Sequence, residues 1–144
     1  MNPEPTPSAP SPAGPSTDIP WSLVLGLGAL ALLRPLLNIT GVSESLDAGP
    51  VLPVGTTLLI TAAWVLAAVL ARVPRPVLTL VYTGLAYGVL AIVLSAVLSP
   101  LTGEGLRGPL TSPFGFAGVL AVNAAWGLVA GAAAWAVRAA LPWR

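Results

Sequence analysis

Residues 77–99 read VLTLVYTGLAYGVLAIVLSAVLS, an apolar run without one charged side chain. A helix rises about 1.5 Å per residue, so about 20 residues cover the roughly 30 Å hydrocarbon core of a bilayer and this run is long enough to cross it. Outward from it, similar stretches extend from about Trp21 to Thr40, from about Pro53 to Ala71 and from about Phe114 to Ala140. The connectors between them and the two ends of the chain hold all of the charge but Arg34, a partition that water-soluble domains do not show. The pattern predicts an all-α fold: a polytopic membrane protein with four transmembrane helices in a compact bundle.

Composition narrows the chemistry. Of 144 residues, 56% are hydrophobic and only 8% charged, against about a quarter charged in globular domains. There is no Cys and no His, which excludes disulfides, thiolate or imidazole metal sites, and Cys or His catalysis. No cofactor and no enzyme activity are expected, since no carboxylate pair, Ser-His-acid constellation or Gly-rich phosphate cradle is present. A net charge of +1 gives no footprint for nucleic acid. Arginine without lysine fits GC-rich coding and a bacterial source.

Residues 1–20 carry Pro3, Pro5, Pro7, Pro10, Pro12, Pro15 and Pro20 among Ser, Thr and Ala. Such a segment buries too little apolar surface to offset its ordering entropy, so a disordered, proline-rich cytoplasmic tail is expected ahead of a membrane domain over 21–144. It lacks the basic start of a secretory signal. Orientation follows from arginine. The tight connector at 72–76 holds Arg72 and Arg75, and the C-terminal end holds Arg138 and Arg144. With four spans these share one side, which the positive-inside rule makes cytoplasmic, in a plasma or inner membrane with both termini inside.

Laid against itself so that Gly26 meets Gly88, the chain also pairs Ala29 with Ala91, Thr40 with Thr102, Gly41 with Gly103 and Ala62-Ala63-Trp64 with Ala124-Ala125-Trp126. This register predicts two tandem, internally similar helical hairpins in parallel orientation. Recurrence of Gly, Ala and Trp for helix packing alone is the competing reading.

Few side chains inside the spans carry polarity. Apart from Arg138 at the C-terminal end of the fourth span, Arg34 is the one charge within a span, followed by Pro35 and, one turn on, by Asn38. Proline at 35 removes an amide donor and should kink the helix, freeing carbonyls. Arg34 is either an interface anchor facing Glu44, Asp47 or Glu104, or an anion-attracting group in a cavity. Asn123 lies deep in the fourth span, and Thr61, Thr57, Thr83, Tyr82 and Tyr87 are its candidate hydrogen-bond partners. Thr79, Thr83 and Tyr87 share one helical stripe. Arg34, Asn38, Asn123, Thr61 and Tyr87 are therefore the candidate polar intramembrane site. Gly84 with Gly88 and Gly127 with Gly131 form small-xxx-small patterns that let helices approach closely. Trp64 and Trp126 read as core wedges.

Two segments carry a family resemblance. Gly26-Leu27-Gly28-Ala29-Leu30-Ala31-Leu32-Leu33-Arg34 resembles the Gly-rich first helix, ending in Arg, of the small four-span fluoride channels. Pro53-Val54-Gly55-Thr56-Thr57-Leu58-Leu59 resembles the opening of their second helix. The resemblance implies a four-span bundle and anion passage. Ile60 or Thr61 stands where that family places its pore Asn, and the third span lacks the paired Phe residues and the Gly-Gly, Thr and Ser break of its anion path and central sodium.

The expectation from sequence is a non-enzymatic integral membrane protein acting through helix packing with itself, as a homodimer, or with a membrane partner. The alternative is a small oligomeric channel or transporter for an anion or uncharged solute.

Overall fold

A computed structural model describes residues 18–39, 51–99 and 112–141, together with Gly49. The expected tail at 1–17, both long connectors with Glu44, Asp47, Glu104 and Arg107, and the end with Trp143 and Arg144 lie outside these residues. The described chain is helical, with no strand among the described residues. Its helices are α1 (Trp21–Ala31), α2 (Leu33–Ile39), α3 (Val51–Leu70), α4 (Pro76–Leu98) and α5 (Pro113–Ala140).

Helices α3, α4 and α5 are each long and apolar enough to cross a membrane, and Trp21–Leu37 forms a shorter apolar stretch. The break between α1 and α2 is at Leu32. Pro35 has no amide hydrogen for the Ala31 carbonyl, and its ring crowds that oxygen. The chain tightens there, with the Leu32 amide on the Ala29 carbonyl at 3.0 Å, and resumes with the Leu36 amide on the Leu32 carbonyl at 3.1 Å. Proline is harmless at the other starts: Pro76 and Pro113 open α4 and α5, where amides lack intrahelical partners anyway.

Helix α4 is the hub. It packs most extensively against α5 and next against α1, whereas α3 packs against α5 and only lightly against α4, α1 and α2. The α4–α5 seam is made by glycine. A Cβ on Gly84 would run into the Asn123 carbonyl, one on Gly127 would stand 2.9 Å from the Leu80 carbonyl carbon, and one on Gly131 would stand 2.6 Å from the Val77 Cα. Such approaches are closed to any side chain, so the two backbones touch. Gly28 gives α1 a similar approach to α4, where an added Cβ would stand 3.3 Å from the Tyr87 amide nitrogen. The expected small-xxx-small motifs thus lie inside one chain. The halves of the expected duplication pack differently, one hairpin being tight along glycine and the other, α1–α2 with α3, loose.

The core is small and runs through the inner faces: Leu27, Ala31, Trp64, Ala68, Val69, Val73, Leu80, Ala130 and Ala134. Outward, large apolar side chains are bare, with Leu59 73% and Phe114 89% exposed. In water such faces would be costly at roughly 25 cal/mol per Å²; in hydrocarbon they are solvated. The structure accordingly suggests a multi-pass helical protein in a lipid bilayer.

The turn from α3 to α4 is a Schellman closure. The Val73 amide reaches the Ala68 carbonyl at 3.2 Å and the Arg72 amide reaches the Val69 carbonyl at 3.1 Å, with Val73 and Ala68 both buried. Arg72 takes the left-handed position (φ 49°), where glycine is the usual occupant. Arg138 donates to the Val73 carbonyl and so ties α5 to this turn.

Substitution separates the glycines that touch backbone from those that do not. Gly127→Ala should lower stability by about 3 kcal/mol, the upper end for overpacking, because the opposing atoms are backbone. Gly26→Ala and Gly118→Ala, with nothing within 4 Å of the added carbon, should instead raise it by about 0.5–1 kcal/mol. Reversible unfolding in mixed micelles measures both.

Candidate functional site

Where α3 stands off from the tight part of the bundle, a cleft of about 190 Å³ opens between α1–α2, α3, α4 and α5. Its lining comes from positions far apart in the chain. Proline breaks the first helical stretch just before Arg34, and Arg34 projects from the first turn of α2, exposed. Thr57, Thr61 and Trp64 lie on one face of α3 at spacings that share a side of a helix. Tyr87 comes from α4, continuing the stripe that begins with the fully buried Thr79 and Thr83. Val122 and Trp126 lie one turn apart on α5, and Ala31 and Ile60 complete the wall.

Hydrogen bonds divide these groups into occupied and open. Thr57 Oγ1 donates to the Pro53 carbonyl at 2.8 Å and Thr61 Oγ1 to the Thr57 carbonyl at 2.7 Å. The indole of Trp126 donates to Thr61 Oγ1 at 3.0 Å, joining α5 to α3. Trp64, buried, donates to the Leu27 carbonyl at 3.0 Å and joins α3 to α1. These two indole bonds are the polar ties of a helix that otherwise packs lightly. The open groups are the Arg34 guanidinium and the Tyr87 hydroxyl, which have no hydrogen-bond partner among the described residues. They are close enough for the charge on Arg34 to act on the phenol. An arginine carries five N–H donors and no acceptor, and a phenol one O–H. No carboxylate lines the cleft among the described residues.

Of the five polar residues expected from sequence, the cleft brings together Arg34, Thr61 and Tyr87. Asn38 lies in α2, and its side chain lies outside the described residues. Asn123 stands apart: its Nδ2 donates to the Val119 carbonyl of its own helix at 2.8 Å, and it packs against Gly88. The expectation of an interhelical partner for Asn123 is corrected, because an i−4 carbonyl is always within reach of a short amide. The core-wedge reading holds the right environment for Trp64, 2% exposed, and the wrong one for Trp126, 43% exposed. Thr57 and Trp126 are lining residues that sequence reasoning did not place in the site. Their spacing to Thr61 and Val122 was visible, but the rotation of each helix about its axis was not.

No known family model matches the chain, and neither a curated protein nor a solved structure matches it significantly. The likeness to fluoride channels therefore rests on its two short segments alone.

The indole tie predicts a measurable coupling. In a double-mutant cycle, Thr61→Val and Trp126→Phe should couple by about 0.6 kcal/mol, the average for interhelical hydrogen bonds in membranes. Additive effects on unfolding free energy would show that the bond contributes nothing.

Proposed function

We propose that this chain is a non-enzymatic multi-pass membrane protein whose working part is the Arg34 cleft, taking up an anion or a solute rich in acceptor oxygens as the subunit of a small channel or transporter. The observation that carries this reading is the convergence of polar groups from four helical elements on one cavity, with the cation and the phenol left as open donors. An acceptor-bearing solute would meet donors there and, among the described residues, no carboxylate. Close backbone seams and two indole bonds would hold the donors in place.

In this reading α1 and α2 together form the first of four spans, and both termini lie on the cytoplasmic side with Arg72, Arg75 and Arg138. Arg34, about 20 Å along from Trp21 at 1.5 Å per residue, then stands in the outer half of the membrane. A duplication of the hairpins, if it gave rise to the chain, has since lost its symmetry: Arg34 has Ala96 as its counterpart.

A second reading, association with another copy, is favoured by a shallow apolar groove on α3 lined by Val51, Val54, Gly55 and Leu58. A methyl group added at Gly55 would meet nothing within 4 Å, which leaves this stretch of backbone open to a neighbouring helix. Association and transport are compatible, since a second copy could close the cleft.

Flux into liposomes tests the proposal, with chloride, inorganic phosphate and glycerol as probes. Arg34→Gln should lower anion flux at least about tenfold, the equivalent of about 1.5 kcal/mol for a hydrogen bond to a charged group. Tyr87→Phe should lower it less, and Asn123→Ala, outside the cleft, should leave it unchanged. Liposomes that stay tight to all three probes with the unmodified chain would contradict it.

A further inference from the structure

The end of the bundle at the α3–α4 turn carries a second set of groups, remote from the Arg34 cleft. Two cavities flank one guanidinium there. The first, about 250 Å³, is lined by Val69, Leu70, Arg72 and Arg138. The second, about 280 Å³, is lined by Pro74, Pro76, Trp135, Arg138 and Ala139. Arg138 belongs to both.

Several features of this end point in one direction. Arg138 is held in position by its bond to the Val73 carbonyl, and one such bond leaves four of its five donors for other partners. Arg72 occupies a left-handed position that glycine would fill with less strain, and non-glycine residues in such positions cluster at ligand sites. Arg75 adds a third positive charge on the same turn. The one acidic residue among the described residues, Asp18, lines neither cavity. The first cavity is also half apolar: beside the two arginines it has Val69, which belongs to the core, and Leu70, which is 70% exposed. Beside the second stands Trp135, 62% exposed, an amphipathic ring of the kind that settles at the level of lipid headgroups.

We infer that the Arg72–Arg138 cavity is a binding site for the phosphate headgroup of an anionic phospholipid, whose acyl chain lies along Leu70. A dissolved anion would gain nothing from that apolar wall, whereas a lipid presents phosphate and hydrocarbon in this order along the membrane normal. Planar guanidinium pairs fit phosphate oxygens in forked geometry, and basic pockets between helices at the membrane surface suit anionic headgroups. The site is independent of the Arg34 cleft and of what that cleft carries.

Native mass spectrometry of the full chain released from micelles containing phosphatidylglycerol and phosphatidylcholine in equal amounts provides the test. Phosphatidylglycerol should be retained at least about fivefold over phosphatidylcholine, and Arg72→Gly should remove about a fivefold share of that preference, matching the contribution of one arginine near a charged surface. Glycine suits the positive φ, so this variant keeps the turn and reports on the charge. Arg138→Gln should reduce the preference further. Equal retention of the two lipids, or a preference untouched by Arg72→Gly, would overturn the inference. Displacement of phosphatidylglycerol by millimolar inorganic phosphate would also overturn it, by making the ligand a free anion.

Discussion

The backbone-to-backbone approach of α4 and α5 is the constraint on which the remaining geometry depends. Lipid supplies no hydrophobic drive to bring helices together, so association rests on close packing and on interhelical hydrogen bonds. Gly84, Gly127 and Gly131 remove the side chains that would hold the two helices apart, and the result is a rigid pair. Gly28 extends this packing to α1. Helix α3 has no glycine in such contact; at Gly55, its one glycine, an added Cβ would meet nothing within 4 Å. It is held by Trp64 on one side and by Trp126 on the other. A bundle with one tight pair and one standing-off helix has a gap on the loose side, and the cleft is that gap.

Polarity follows the same division. Along the tight seams Thr83 and Asn123 bond within their own helices, to the Thr79 and Val119 carbonyls, and the hydroxyl of the fully buried Thr79 has no partner among the described residues. Along the loose side the Thr57 and Thr61 hydroxyls also donate within their own helix, but two indoles bond across helices and Arg34 and Tyr87 are left open. Pro35 contributes twice, by breaking the first helical stretch and by setting Arg34 on the short α2 segment. At the far end of the bundle, the Schellman turn and Arg138 lock the tight pair to α3, so that the loosening is confined to one side.

Much of the fold was legible in the sequence because charge-free runs have a physical minimum length in a membrane. The ends of α3, α4 and α5 fall within about two residues of the expected boundaries, and the interruption at Leu32 follows from Pro35. The glycine motifs were legible as close-packing surfaces, but their partner was not: Gly84 and Gly127 could have met another chain and instead meet each other's helices. The pairing of Trp64 with Trp126 in the internal register was visible. Their different environments were not, since one indole is buried against α1 and the other lines an open wall. Arg34, Thr61 and Tyr87 could be named as polar residues in apolar spans. Whether they share a cavity depends on helix rotation and tilt, which apolar sequence constrains weakly when every face is solvated by lipid.

The central claim is that the side of α3 facing Arg34 is a polar, water-accessible cleft while its outward face, with Val54 and Leu59, faces hydrocarbon. The chain has no cysteine, so a single introduced thiol is unambiguous. In native membranes, the variants T57C and T61C should react with a membrane-impermeant thiol reagent, and V54C and L59C on the outward face should not. Protection of T57C and T61C to the same degree as L59C would contradict the account.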